Sequence, residues 1–158
     1  MTLQANTFSI VANCQKSGQL GIAISTALPG VGGLCPYICA KVGAVSTQSW
    51  VNPYLAIDII ECLKNGNSAS EALEKVIDAD EDRDLRQLGI VDASGNAVSW
   101  TGNKCTSWAG QIFKPGVAIQ GNMLKSEATL EAMQMAFDHT NGALSERLLS
   151  ALEAGQEA

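Results

Sequence analysis

Apolar and polar residues alternate through TFSIVANC (7–14), with Phe8, Ile10 and Ala12 on one face and Thr7, Ser9 and Val11 on the other, a period that predicts a strand. The turn-prone KSGQ leads into LGIAIST (20–26), where Leu20, Ile22 and Ile24 share a face, so the two runs read as an antiparallel hairpin. Beyond the Gly-rich loop ALPGVGGL comes a third strand-like run, KVGAVSTQS (41–49). Gly and Ala recur on these strands and let other backbone or a ligand come close.

The period then changes. Asn52-Pro53 is a helix start, with Asn as cap and Pro at the first helical position, and Leu55, Ile59, Cys62 and Leu63 carry the helix to Asn65-Gly66. Ser68 and Glu71 form a capping box for a second helix whose apolar face is Ala72, Leu73, Val76 and Ile77. RQLGIVDA (86–93) and NAVSWTG (96–102) flank Ser94-Gly95, a hairpin turn signal, and VAIQG (117–121) reads as one more strand. Leu130, Met133 and Phe137 give helical spacing up to Asn141-Gly142, and Leu144, Leu148 and Leu152 continue it. Strands, a helix pair, strands and a second helix pair predict an α+β fold of antiparallel sheets covered by helices.

A chain of 158 residues with 46% hydrophobic content is expected to form one domain over 1–158. Its net charge of −6 is spread thinly, and Arg83 and Arg86 sit among Asp80, Glu81, Asp82 and Asp84, which argues against a nucleic-acid surface and for local ion pairs in a solvated turn. No run approaches the about 18 consecutive apolar residues of a membrane span, so no membrane partner is expected and the location is expected to be cytoplasmic. The five cysteines (Cys14, Cys35, Cys39, Cys62, Cys105) are odd in number and scattered, which favours reduced thiols. Cys14 and Cys105 have no cationic flank in the sequence, and CPYIC has no second pair to complete a zinc site. No metal or other cofactor is expected. The single histidine, His139, is expected to complement a helix C-terminus, and with no second histidine a Ser-His-Asp triad is hard to build.

TFSIVA, GQLGIAIST, the Gly-rich loop, VGAVSTQSWVNP, RQLGIVDASG, TGNKCTSWAG and VAIQGNML follow in an order and spacing that resembles the DUF1028 family. The resemblance runs from Thr7 to Gly155. That family is assigned to the N-terminal-nucleophile (Ntn) hydrolases, so the resemblance implies a four-layer αββα sandwich with two antiparallel sheets face to face. It also implies that Thr7, first residue of the first strand, is the catalytic nucleophile, its hydroxyl attacking an amide carbonyl while its own α-amine acts as base. An α-amine titrates near ~7.7 and is partly neutral at working pH, which suits that task. Residues 1–6, MTLQAN, precede Thr7, so its nitrogen is an amide until the Asn6–Thr7 bond is cut, a cut that superfamily relatives make by an acyl shift onto the side-chain oxygen. Family members usually continue past the equivalent of EAGQ with further sheet-forming sequence, which this chain, ending at Ala158, is expected to lack.

Around such a nucleophile, parity puts Ser9, Ser25, Thr47 and Ser49 among the hydroxyls expected to line one sheet face. Gln48, Asn52 and Asn122 are neutral amides near strand ends, able to orient a substrate amide or complete an oxyanion hole. The resemblance suggests Lys41 as a modulator of the nucleophile's pKa. Each has a plainer alternative: Thr7 suits a strand edge, Asn52 caps a helix, Asn122 shapes a turn and Lys41 is a surface lysine. Trp50, Trp100 and Trp108 beside strand ends fit core packing or a pocket mouth.

Two functions follow. One is an amidohydrolase that forms a covalent acyl-enzyme on a freed Thr7 with a small-molecule amide. The other is a non-catalytic protein on the same scaffold that binds a small ligand or assembles into a homo-oligomer.

Overall fold

The computed structural model describes residues 7–158; the expected leader, residues 1–6, lies outside the described residues. Four antiparallel strands form one sheet: β1 (Thr7–Cys14), β2 (Gln19–Thr26), β7 (Gly110–Lys114) and β8 (Val117–Asn122), in the order β2-β1-β8-β7. The other holds β3 (Pro36–Cys39), β4 (Gly43–Ser49), β5 (Arg86–Asp92) and β6 (Ala97–Thr101), in that order. Helices α1 (Pro53–Lys64) and α2 (Ala69–Asp78) follow β4, and α3 (Ala128–His139) and α4 (Leu144–Glu157) follow β8. The α+β class and both helix pairs match the periodicity. Two strands were invisible to it: β3, inside CPYIC, and β7, GQIFK, are too short to show a period and exist because β4 and β8 offer them partners.

Side-chain parity separates the layers. Even positions of β1 and odd positions of β8 face α3 and α4, so Ile10, Ile119, Leu130, Met133 and Leu148 form one core. On the other sheet Val45, Leu88 and Ile90 meet Leu55, Ile59, Leu73 and Ile77 of α1 and α2 in a second core. Each fully buried large aliphatic there contributes roughly 1.5–3 kcal/mol relative to exposure. The capping box forms as the sequence predicts: Ser68 N donates to Glu71 Oε2 at 2.8 Å and Glu71 N to Ser68 Oγ at 3.3 Å. The Ser68 N–H and the Ser68 hydroxyl, which donates to Glu71 Oε2 at 2.8 Å, hold the Glu71 carboxyl below the usual carboxylate range.

The two sheets face each other, and the space between them is unlike the outer cores. Val11, Ala44, Val91 and Ala118 give it a small apolar centre. At one end Asn13 Nδ2 donates to Ala93 O at 3.1 Å; at the other lie the buried Gln48, Gln87 and Gln120. Gly89 allows this approach, because a Cβ there would stand 2.0 Å from Gln120 Oε1. The acid-rich turn is also partly internal. Arg86, 5% exposed, donates to Asp80 Oδ2 at 2.7 Å and to Trp50 O at 2.9 Å, while Arg83 pairs with Asp78 at the surface. Among the described residues no helix is long and apolar enough to cross a membrane.

Gly89→Ala is expected to cost about 1–3 kcal/mol, because Gln120 is held on both sides and cannot swing away from the new methyl group. A urea melt checks this, and an unchanged midpoint would show that Gln120 moves aside without cost.

Candidate functional site

The amide network between the sheets has one self-consistent orientation, and it starts at Gln87. Its Nε2 lies 2.8 Å from Gly121 O and 3.1 Å from Gly110 O, main-chain carbonyls that can only accept. A flipped Gln87 would set oxygen against oxygen, so Oε1 must point the other way and accept. It accepts from Gln48 Nε2 at 2.8 Å and from Asn122 Nδ2 at 3.0 Å. Gln48 Oε1 then faces Ser9 Oγ at 2.6 Å and takes its only hydrogen, so the Ser9–Ser46 bond of 3.1 Å is donated by Ser46. Gln120 Nε2 donates to Ser9 Oγ at 2.6 Å, and its Oε1 accepts from Ser99 Oγ at 3.0 Å. The same logic leaves one atom over: Asn122 Oδ1 is the buried side-chain acceptor without a hydrogen-bond partner among the described residues.

Thr7 stands where this network reaches the strand ends. In the register it pairs with Thr26 on β2 and with Asn122 on β8, so three polar side chains lie in a row across the sheet. Its Oγ1 donates to Thr26 Oγ1 at 3.1 Å, and Gln48 Nε2 lies 3.5 Å from its carbonyl oxygen. Thr7 also lines an open cleft of about 250 Å³ with Phe8, Ser25, Thr26, Met123 and Leu124, a set without a charged side chain. The backbone is strained at the same end. Ser49, directly after Gln48, has φ 67°, and Met123, directly after Asn122, has φ 56°, while Lys41, φ 63°, lies at the opposite end; each such residue costs roughly 1–3 kcal/mol.

Thr7, Gln48 and Asn122 are therefore brought together with Ser9 behind them, and the remaining expected residues are dispersed. Ser9 is fully enclosed in the network and does not reach the cleft. Ser25 pairs with Phe8, so it lies on the helix side of its sheet, at the cleft wall but on the opposite face from Thr7. Thr47 pairs with Leu88 on the helix side of the other sheet and donates to Asn52 O at 3.4 Å. The expected shared face fails at these two because β2 and β4 are entered one residue out of phase with the parity assumed. Asn52 caps α1, accepting from Tyr54 N at 3.1 Å. Lys41 is exposed before β4, at the Asn13 end of the sandwich, remote from the Thr7 end. Thr26, Gln87 and Gln120 were missed. Their signal was glutamine at alternate strand positions together with a hairpin register that sets Thr26 opposite Thr7.

All five cysteines are free thiols. Cys14 corrects the sequence expectation, since it shares a cleft at the far end of the sandwich with Lys16, Lys114 and Arg147, brought there from three separate segments. The Ser17 hydroxyl and main-chain donors hold its thiol below the ordinary thiol range, with a smaller contribution from Arg147. Burial pushes Cys35 up to about 11. His139 Nδ1 lies 2.7 Å from Met135 O in the last turn of α3. Among the described residues no group of three or more His, Cys, Asp or Glu is placed to hold a metal ion.

Gln87→Leu is expected to destabilise the fold by about 2–4 kcal/mol in a urea melt, because it removes the side-chain donor to Gly110 O and Gly121 O and the acceptor that Gln48 Nε2 and Asn122 Nδ2 share, within a buried network. Thiol alkylation should order the cysteines: Cys14, ionising at lower pH, gains label from iodoacetamide at neutral pH, and Cys35 stays unlabelled until strongly alkaline pH. Mass spectrometry of the digested protein reads both, and labelling of Cys35 before Cys14 would contradict the geometry.

A comparison with curated proteins finds no match. The crystal structure of protein SPO2555 from Silicibacter pomeroyi, described as DUF1028, superposes with a TM-score of 0.93 at 30% identity, over 97% of this chain and 71% of that one. The family model that matches residues 7–158 is described as a family of unknown function. Every described residue, from Thr7 at the head of β1 to the end of α4, falls within that match, and the chain belongs to the DUF1028 family.

Proposed function

We propose that this protein is an Ntn-type amidohydrolase in which Thr7 is the nucleophile, on a four-layer αββα sandwich of the Ntn-hydrolase kind. The observation that carries this reading is the position of the Thr7 hydroxyl, at the head of a central strand, on a cleft and beside the Thr26 hydroxyl. Release of the amine comes first. Thr7 Oγ1 attacks the Asn6 carbonyl carbon, the bond to the Thr7 nitrogen breaks with transfer of the hydroxyl proton to that nitrogen, and water hydrolyses the resulting ester.

The freed amine then serves as base. It takes the Oγ1 proton as the oxygen attacks a substrate carbonyl, passes that proton to the leaving nitrogen, and activates the water that cleaves the acyl ester. Gln48 and Asn122 were expected to donate to the oxyanion, but the nitrogen of each is committed to Gln87 Oε1. Thr26 is the better donor. Its Oγ1 accepts from Thr7 and, at 3.4 Å, from Leu28 N, which leaves its own hydrogen for the carbonyl oxygen under attack. A cleft without charged lining favours a small, uncharged acyl group.

Intact mass spectrometry of the purified protein tests the reading. Loss of residues 1–6 is expected in the wild type, is abolished by Thr7→Ala and persists in Thr7→Ser. Hydrolysis of a panel of small neutral amides should fall by about 10³-fold or more in Thr7→Ala. A retained leader in protein that hydrolyses the panel at full rate would remove the Thr7 amine from the mechanism.

A further inference from the structure

Among the described residues, the network leaves one buried acceptor, Asn122 Oδ1, without a donor. Asn122 is 1% exposed, and its Nδ2 is fixed on Gln87 Oε1, which is in turn fixed by the main-chain carbonyls of Gly110 and Gly121. Asn122 therefore cannot turn over to satisfy its oxygen, and a buried orphan acceptor of this kind costs about 1–3 kcal/mol. Its cross-strand neighbour on the same face is Thr7. Directly opposed residues in an antiparallel pair have Cβ atoms about 4.5–5.5 Å apart, so an oxygen at the tip of one side chain is within reach of the other residue's backbone nitrogen.

We propose that Asn122 Oδ1 is the acceptor for the α-amine of Thr7, receiving one of the N–H bonds that appear when the Asn6–Thr7 bond is cut. The inference rests on the nucleophile reading above and assigns Asn122 a positioning role in place of the oxyanion role expected from sequence. An amine held by one N–H cannot swing away from the strand head, so its lone pair stays available to Oγ1 of the same residue. Before the cut, the Thr7 amide nitrogen carries a single hydrogen; the cut supplies the donors. The described residues that line this end are uncharged. Gln48 from β4, Gln87 from β5 and Thr26 from β2 are neutral, and the cleft contributes Phe8, Ser25, Met123, Leu124 and Gln156. Arg86, beside Gln87 on β5, is turned toward Asp80 and Asp82, and the Cys105 thiol is occupied by donating to Arg86 O at 3.3 Å.

A carbonyl acceptor stabilises the ammonium form more than the amine, so removing it lowers the pH at which the amine titrates. The experiment follows the wild-type, Asn122→Leu and Asn122→Asp full chains. Intact mass first establishes that each has lost residues 1–6. Limiting acetic anhydride then labels the Thr7 amine across a pH series, read on the N-terminal peptide by mass spectrometry. Asn122→Leu is expected to lower the titration midpoint by about one pH unit, and Asn122→Asp, which keeps an acceptor whether ionised or not, to hold it at or above the wild-type value.

A midpoint in Asn122→Leu equal to wild type, or a fall in both variants together, would overturn the positioning role and leave Thr7 as nucleophile. A wild-type chain that keeps residues 1–6 overturns both. Should Asn122→Leu fail to fold, a crystal structure of the processed wild-type protein decides: Thr7 N within hydrogen-bond distance of Asn122 Oδ1 is expected, and a water in its place sinks the inference.

Discussion

Gln87 Nε2 faces two main-chain carbonyls of the opposing sheet, Gly110 O and Gly121 O, and the polar interior follows from that contact. The carbonyls belong to the ends of β7 and β8, and the glutamine to β5, so one side chain ties a strand pair of one sheet to the centre of the other. Its oxygen then dictates the direction of Gln48 and Asn122, and Gln48 dictates Ser9. In a low-dielectric interior such a chain is worth most when every member is satisfied, and losing one member strands its neighbours. An apolar interface between two sheets tolerates sliding; this one does not, because a shift of one residue would exchange amides for side chains of the outer cores.

The same constraint explains why the two ends of the sandwich differ. At the Asn13 end the polar contacts go to main-chain carbonyls of a turn and end there. At the Thr7 end the amides crowd toward the last residues of β4 and β8, and both strands leave through a left-handed residue, Ser49 and Met123; the third such non-glycine residue, Lys41, precedes β4 at the other end. Backbone in that region is sustained by the surrounding bonds rather than by local preference. The cleft beside Thr7 is lined by uncharged side chains, and Thr7 joins it to the amide network behind through the contact of its carbonyl with Gln48.

Most of the scaffold was legible along the chain. Strand alternation in TFSIVANC and LGIAIST, the Asn52-Pro53 start, the Ser68–Glu71 box and the Ser94-Gly95 turn each rest on interactions within a few residues, and each formed as read. β3 and β7 were not legible, since four or five residues cannot display a period and their pairing comes from β4 and β8. The site was legible by half. Thr7 stands out by its place at the head of a strand, and Gln48 and Asn122 by being amides near strand ends. Ser25 and Thr47 were put on the wrong face, because parity is known only within a strand, and relative parity between strands depends on a hairpin register that the turn sets.

The amino-acid order determined where the helices and the longer strands lie, which face of each is apolar, and that a threonine heads the first strand, because those properties rest on contacts close in sequence. Tertiary structure decided the rest: that Thr26 and Asn122 flank Thr7, that Gln87 orients its neighbours from another sheet, that Cys14 shares a cleft with Arg147, and that Lys41 lies at the opposite end from Thr7. Those are contacts between residues tens of positions apart. Their geometry depends on sheet register and on which carbonyls remain to be satisfied once two sheets have closed on each other, and no short stretch of sequence carries that information.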